Sequence, residues 1–187
     1  MKITAIDDTR RLFRVEDIVS PELLAELEQL DWSNVPWTRQ PMQEAWPRRL
    51  LEPTHPTLDK VITCINDALA QVCEVCNINI GGIVTTGFWL DEPGFTVSIH
   101  TDGHLPGSMQ LFWVMPSKQH GTVFYNSKRP EDVRFAPESI PNTGYIMLNK
   151  LNEDGSQPLH WHGMLNPVPE GTVRVTSYTV ISTYENK

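Results

Sequence analysis

The feature that most constrains this chain is a change of period at Gly81. From there onward short runs of alternating apolar and polar residues follow one another, each stopped by turn-formers. The runs predict strands near Ile83–Leu90, Phe95–His100, Met109–Met115, Thr122–Tyr125, Arg134–Phe135, Gly144–Asn149, Leu159–Met164 and Thr172–Thr183. Glu92-Pro93-Gly94, Asp102-Gly103, Asn152-Glu153-Asp154-Gly155 and Pro169-Glu170-Gly171 separate them, since Pro and Gly supply the backbone angles that tight turns need. Eight short strands with no helix between them predict an antiparallel sandwich or jelly roll.

Residues before about position 80 read differently. Ser20-Pro21-Glu22 opens a helix, with Ser as N-cap and Pro at the first helical position. Leu23, Leu24, Leu27 and Leu30 recur at helical spacing, and the run dies at Asp31-Trp32-Ser33. A second helix is expected from Thr57 to about Cys76, with Leu58, Val61, Ile62, Ile65, Leu69 and Val72 on one stripe that should pack on a sheet. Between the helices, Asn34 to Pro56 holds Pro36, Pro41, Pro47, Pro53 and Pro56, a density that favours an irregular, extended path. The expected organisation is one domain over 1–187, mainly β with α support: about 1–80 as helical support and proline-rich loop, about 81–184 as the β core.

Composition narrows the function classes. The 187 residues carry 15 basic and 23 acidic side chains, a formal net charge of -8, which argues against gripping a nucleic-acid backbone through bulk charge. No run of 18 apolar residues exists, so no spanning helix is expected. Met1 to Arg14 carries charges where a signal peptide needs an apolar stretch. Three cysteines cannot close a disulfide framework, and a reducing, cytoplasmic setting is expected.

The chemistry-bearing residues lie in the β part. His100-Thr101-Asp102 ends a strand pattern, and on a strand residues i and i+2 point to one side, so His100 and Asp102 can chelate one ion. Leu159-His160-Trp161-His162 offers two more imidazoles on one face. Two histidines and one carboxylate leave metal positions open, the arrangement of non-haem Fe(II) oxygenases, whereas a structural zinc site wants four closed protein ligands. Arg174 and Thr176 share a face further on, and a buried guanidinium fits a carboxylate bidentately.

Through His-x-Asp at His100 and Asp102, the distal histidine of His162-Gly163, and Arg-x-Thr at Arg174 and Thr176, the sequence resembles the Fe(II)/2-oxoglutarate-dependent oxygenases over roughly Gly81 to Thr183. The resemblance implies a double-stranded β-helix packed against the N-terminal helices. It implies Fe(II) held by His100, Asp102 and His162, and 2-oxoglutarate held by Arg174 and Thr176. With O2, such an enzyme oxidises an organic substrate, most simply by hydroxylation, and releases succinate and CO2. Between the two distal histidines, a hairpin turning at Pro167–Gly171 would set Arg174 opposite about Leu165. That is roughly 10 Å from His162 and roughly 17 Å from His160, and a five-carbon dicarboxylate spans only the shorter gap. The substrate class implied is a small molecule or peptide, its identity and the oligomeric state being left open.

Other candidates carry weaker expectations. Gln110 alternates with Phe112 and is placed facing the cavity, where it could bond a carboxylate; Tyr125 and Asn149 are similar cases. His104 is read as a loop residue at the mouth, in reach of substrate, His120 as an exposed turn residue and His55 as structural. Trp89, Phe112 and Trp113 read as core. Arg48 and Arg49 form a solvated pair or else recognise an anionic substrate, together with Arg39, from a proline-rich stretch that Trp37 and Trp46 would order. Cys73-Glu74-Val75-Cys76 has redox spacing without a thioredoxin-like context, so structural cysteines are expected. The alternative function is a cupin-like metal-binding barrel, an isomerase or binding module, which would have no use for Arg174-Val175-Thr176 as a cosubstrate anchor.

Overall fold

The computed structural model describes residues 1–7, 11–32, 34–38, 47–51, 55–149 and 158–186. Eleven strands and two helices follow in the order β1 (Lys2–Asp7), β2 (Leu12–Glu16), α1 (Pro21–Glu28), β3 (Trp37–Thr38), β4 (Arg48–Leu51), α2 (Pro56–Val75), β5 (Ile78–Asp91), β6 (Gly107–Val114), β7 (Thr122–Tyr125), β8 (Val133–Phe135), β9 (Thr143–Leu148), β10 (Trp161–Met164) and β11 (Arg174–Asn186). An eight-stranded antiparallel sheet runs β1-β2-β9-β6-β11-β5-β4-β3, and a three-stranded sheet runs β10-β7-β8.

Both helices form for the reasons legible in their sequences. Ser20 Oγ accepts from the Leu23 N–H at 3.3 Å, and Pro21 opens α1. Along α2, Leu58, Val61, Ile65, Ala68 and Val72 are buried at helical spacing. Leu58, Val61, Ile65 and Val72 join Leu23 and Leu27 against Phe88, Leu90, Leu111, Trp113 and Ile146 of the large sheet. Each such side chain contributes roughly 1.5–3 kcal/mol through burial. The helices therefore cover one face of the large sheet, and the alternation of each strand sends the other set of side chains toward the small sheet. On β6, Leu111 and Trp113 face the helices while Phe112 packs between the sheets with Phe124 and Tyr145. On β11, Val175 and Ile181 join the helix-side core, which leaves Arg174, Thr176 and Tyr178 on the inner face.

Three expectations need correction. Residues 95–100 form no continuous strand; an isolated antiparallel bridge joins His100 to His162, and single backbone bonds join Val97 to Met164 and Phe95 to Val168. These contacts are too widely spaced for a ladder. The assumed hairpin between β10 and β11 does not exist, because β10 pairs with β7 in the small sheet and β11 pairs with β5 and β6 in the large one. The 165–173 segment is thus a crossover between sheets, and the register argument drawn from it fails. Finally, the N-terminal segment holds four strands that the sequence pattern did not reveal, including a β1–β2 hairpin that extends the large sheet beyond β9. Trp46 and Arg39 lie outside the described residues.

Candidate metal centre

The bridge between His100 and His162 is the scaffold of the site. Each residue's N–H donates to the other's carbonyl at 2.9 Å, so the two α-carbons are directly opposed and the rings lie 4.4 Å apart. Asp102 follows on the loop after His100. Its Oδ1 is 3.4 Å from His100 Nε2 and its Oδ2 is 3.6 Å from His162 Nε2. The three side chains bring one ligand atom each within 4.8 Å of one another. His160 belongs to no such group among the described residues; it is buried, at 2 % exposure.

The second ring nitrogens reinforce the arrangement. His100 Nδ1 lies 2.8 Å from the Ser98 carbonyl oxygen, and His162 Nδ1 lies 2.7 Å from that of His160. A carbonyl only accepts, so Nδ1 carries the proton and Nε2 keeps its lone pair for a metal. Burial, the leading cause, pushes the His162 pKa down and keeps that ring neutral. The bond with Asp102 raises the His100 pKa against the opposing effect of burial. Burial also works to raise the Asp102 pKa, but His100, His162 and the Tyr178 hydroxyl together hold it down to about 2, an ionised carboxylate. Binding a metal would displace the proton that Asp102 favours on His100, and two imidazoles with one carboxylate would then form a donor set suited to a divalent first-row metal.

The cluster borders a cavity of about 280 Å³. Arg174 and Thr176 line it from β11, Gln110 and Thr122 from β6 and β7, and Arg48 and Trp89 from β4 and β5. Arg174 is 1 % exposed; its Nε donates to Asp91 Oδ2 at 2.7 Å and its Nη1 to the His120 carbonyl at 3.2 Å. Thr176 Oγ1 is buried with no hydrogen-bond partner among the described residues, an orphan that a polar ligand in the cavity would satisfy. Gln110 Oε1 accepts from the Thr122 hydroxyl at 2.8 Å, which leaves its amide N–H groups to donate.

Several predicted residues fall elsewhere than the sequence implied. Arg48 and Arg49 are adjacent on a strand and so part company: Arg48 lines the cavity, while Arg49 Nη2 pairs with Glu92 Oε1 at 2.5 Å. His104 is exposed and stands at the cavity lip. His120 is half-buried, its ring 2.8 Å from Ser117 Oγ and its carbonyl against Arg174. Tyr125 is buried, and Asn149 Nδ2 donates to the Asp102 carbonyl at 3.3 Å. Trp89 is half-buried and reaches the cavity, unlike the core residues Phe112 and Trp113. Two residues were missed. Tyr178, whose hydroxyl donates to Asp102 Oδ2 at 2.6 Å, continues the same-face series Arg174, Thr176, Tyr178 and could have been found from that spacing. Asp91 abuts the Glu92-Pro93-Gly94 turn and reads as a turn residue; nothing local marks it as the partner of Arg174.

Known structures resemble this fold. The viral collagen prolyl hydroxylase of Paramecium Bursaria Chlorella virus-1, in complex with 2-oxoglutarate, superposes with a TM-score of 0.60 at 12% identity, covering 94% of this chain and 98% of its own. A 2OG-Fe(II) oxygenase family oxidoreductase from Burkholderia pseudomallei gives 0.61 at 12% identity, covering 99% and 93%. The chain has the double-stranded β-helix fold of these oxygenases. HygX from Streptomyces hygroscopicus, solved with nickel, 2-oxoglutarate and hygromycin B, gives 0.61 at 7% identity over 96% and 84%. No protein-family model and no curated protein matches the sequence. His100, Asp102 and His162 all line the cavity. No helix among the described residues is long and apolar enough to cross a membrane.

Proposed function

We propose that the chain is a one-domain Fe(II)- and 2-oxoglutarate-dependent oxygenase that hydroxylates a small molecule or a peptide. The observation that carries this reading is the shared cavity: a two-imidazole, one-carboxylate donor set opens onto the same space as a buried guanidinium and an unsatisfied hydroxyl. A cupin-like metal protein would have no reason to place Arg174 and Thr176 there.

The residues fit the groups the fold implies. His100 Nε2, His162 Nε2 and an Asp102 oxygen would hold the metal, their orientation set by the Ser98 and His160 carbonyls and the Tyr178 hydroxyl. Arg174, Thr176 and the Gln110 amide would hold the distal carboxylate of 2-oxoglutarate. Bound there, Fe(II) and 2-oxoglutarate supply oxidative decarboxylation to succinate and CO2 coupled to O2 activation. The chain itself orients, neutralises charge and excludes water: Val97, Leu105 and Met164 give the cavity its apolar lining. His104 at the lip is the substrate-facing polar group.

The test is a substrate panel incubated with Fe(II), 2-oxoglutarate and O2, scored for succinate release and a 16-dalton product mass gain. The prolyl hydroxylase and HygX neighbours nominate prolyl peptides and hygromycin B as its first members. Succinate release that depends on Fe(II) and disappears in His162→Ala supports the reading. No turnover, coupled or uncoupled, with no 2-oxoglutarate binding in the presence of Mn(II), refutes it.

A further inference from the structure

Arg48, Asp91 and Arg174 form a row across three neighbouring strands. The β4–β5 register sets Arg48 directly opposite Asp91, and the β5–β11 register sets Arg174 directly opposite Asp91 from the other side. One carboxylate therefore serves two guanidiniums. Arg48 Nε donates to Asp91 Oδ1 at 2.5 Å and its Nη2 to Oδ2 at 3.3 Å, while Arg174 Nε donates to Oδ2 at 2.7 Å. Asp91 is fully buried, Arg174 is 1 % exposed and the Arg48 side chain 14%. Two cations against one anion leave one positive charge in excess at a nearly dry site, a state that is costly unless another anion joins it.

The free donors show where that anion would sit. Arg48 Nη1 and Arg174 Nη2 have no acceptor among the described residues, and both side chains line the cavity. The Arg48 guanidinium carbon lies 4.3 Å from the centre of the Phe95 ring and 4.8 Å from that of Trp89, and that of Arg174 lies 5.6 Å from Phe95. Aromatic faces hold a planar guanidinium in a fixed pose without consuming its donors. The burial of Arg174 pushes its pKa down, with Asp91 opposing, so an added anion would further favour the charged form.

We infer that Arg48 is the second guanidinium of a two-arginine clamp on the distal carboxylate of the cosubstrate, with Asp91 holding the two forks in register. The inference rests on the oxygenase reading and extends it: the anchor is built from the β4 strand of the N-terminal segment as well as from β11. It assigns Arg48 to the cosubstrate rather than to a substrate-selecting lid. The clamp should favour dicarboxylate 2-oxo acids strongly over monocarboxylate ones of equal length.

Calorimetric titration of the full chain with Mn(II) present tests this, using 2-oxoglutarate and 2-oxopentanoate, which carries a methyl group in place of the distal carboxylate. Arg48→Ala should weaken 2-oxoglutarate by about 10- to 100-fold while leaving Mn(II) and 2-oxopentanoate affinities near wild type. Arg48→Lys should recover only part of the loss, because an ammonium lacks the planar fork. Arg48→Gln serves in place of the alanine variant if that one does not fold. Arg174→Ala is the control for the underlying reading. Loss of 2-oxoglutarate in Arg174→Ala but not in the Arg48 variants overturns the clamp and leaves the oxygenase reading standing. Unchanged 2-oxoglutarate affinity in both overturns both. Equal weakening of the two ligands in the Arg48 variants shows that Arg48 acts through the fold and overturns the clamp.

Discussion

The Tyr178 hydroxyl donates to Asp102 Oδ2 at 2.6 Å, joining the centre of β11 to the loop that follows His100. Burial and the charge of Asp102 push the Tyr178 pKa far above the ordinary phenol value, so the group stays a donor at all working pH. Oδ2 takes this bond while Oδ1 lies 3.4 Å from His100 Nε2, so the hydroxyl helps to fix the orientation of the carboxylate. Tyr178→Phe keeps the ring and removes the bond. Metal affinity, measured by Mn(II) titration, should fall on the order of 10-fold, with 2-oxoglutarate affinity at saturating metal little changed. Unaltered metal affinity would dismiss Tyr178 as a support of Asp102.

The ligand set itself separates His162 from His160. His100→Ala, Asp102→Ala and His162→Ala should each abolish Fe(II) binding and turnover, since removal of one donor leaves an incomplete set. His160→Ala should lower the melting temperature, because the ring is buried, yet retain metal binding in part. Iron binding surviving in His162→Ala and lost in His160→Ala would reverse the assignment.

Gly163 tests how closely the ligand-bearing segments must approach. A Cβ there would meet the Val97 carbonyl oxygen at 2.9 Å and the Ile99 nitrogen at 3.1 Å, both backbone atoms. Gly163→Ala must therefore separate residues 97–99 from β10, the two segments that carry His100 and His162. Weaker metal binding together with a destabilisation of roughly 1–3 kcal/mol is expected. Denaturant melts and Mn(II) titration check the pair; full metal affinity would mean that the bridge tolerates displacement.

Cys76 decides the reading of Cys73-Glu74-Val75-Cys76. Burial, aided by Cys73, raises the Cys76 thiol to about 12, so at pH 8 only about one thiol in 10,000 is ionised. The thiolate is the nucleophile, so a raised pKa means slow reaction. Iodoacetamide at pH 8 should label Cys76 in the native protein at least 100-fold more slowly than in the urea-unfolded chain, by mass spectrometry of the Cys76 peptide. Rapid native labelling, or a Cys73–Cys76 disulfide forming readily in glutathione buffer, would restore a redox role.

The parts of the fold that were readable share a property: their evidence is local. Ser20 and Pro21 mark a helix start within one turn, and the α2 stripe repeats along one element. His100 and Asp102, and Arg174 and Thr176, are related by alternation along a single stretch of chain. The β1–β2 hairpin was not readable because its first strand is half exposed and lacks a clean alternation. Residues 95–100 misled for the opposite reason: an alternating run followed by turn-formers looks like a strand whether or not a neighbour pairs with it.

Local alternation and residue type thus determined, from the sequence by itself, that the chain would be a β sandwich braced by two helices and which side chains could share a face. Only the tertiary structure decided which faces meet. Pairing joins residues far apart in the chain, and a hydrogen-bond register carries no signature in either strand alone. That is why the hairpin placed between β10 and β11 was wrong although His162 does stand beside His100 and Asp102. It is also why Arg48, some 126 residues before Arg174 in sequence, shares Asp91 with it: the three are neighbours only across strands, where backbone hydrogen bonds, not sequence distance, set who stands next to whom.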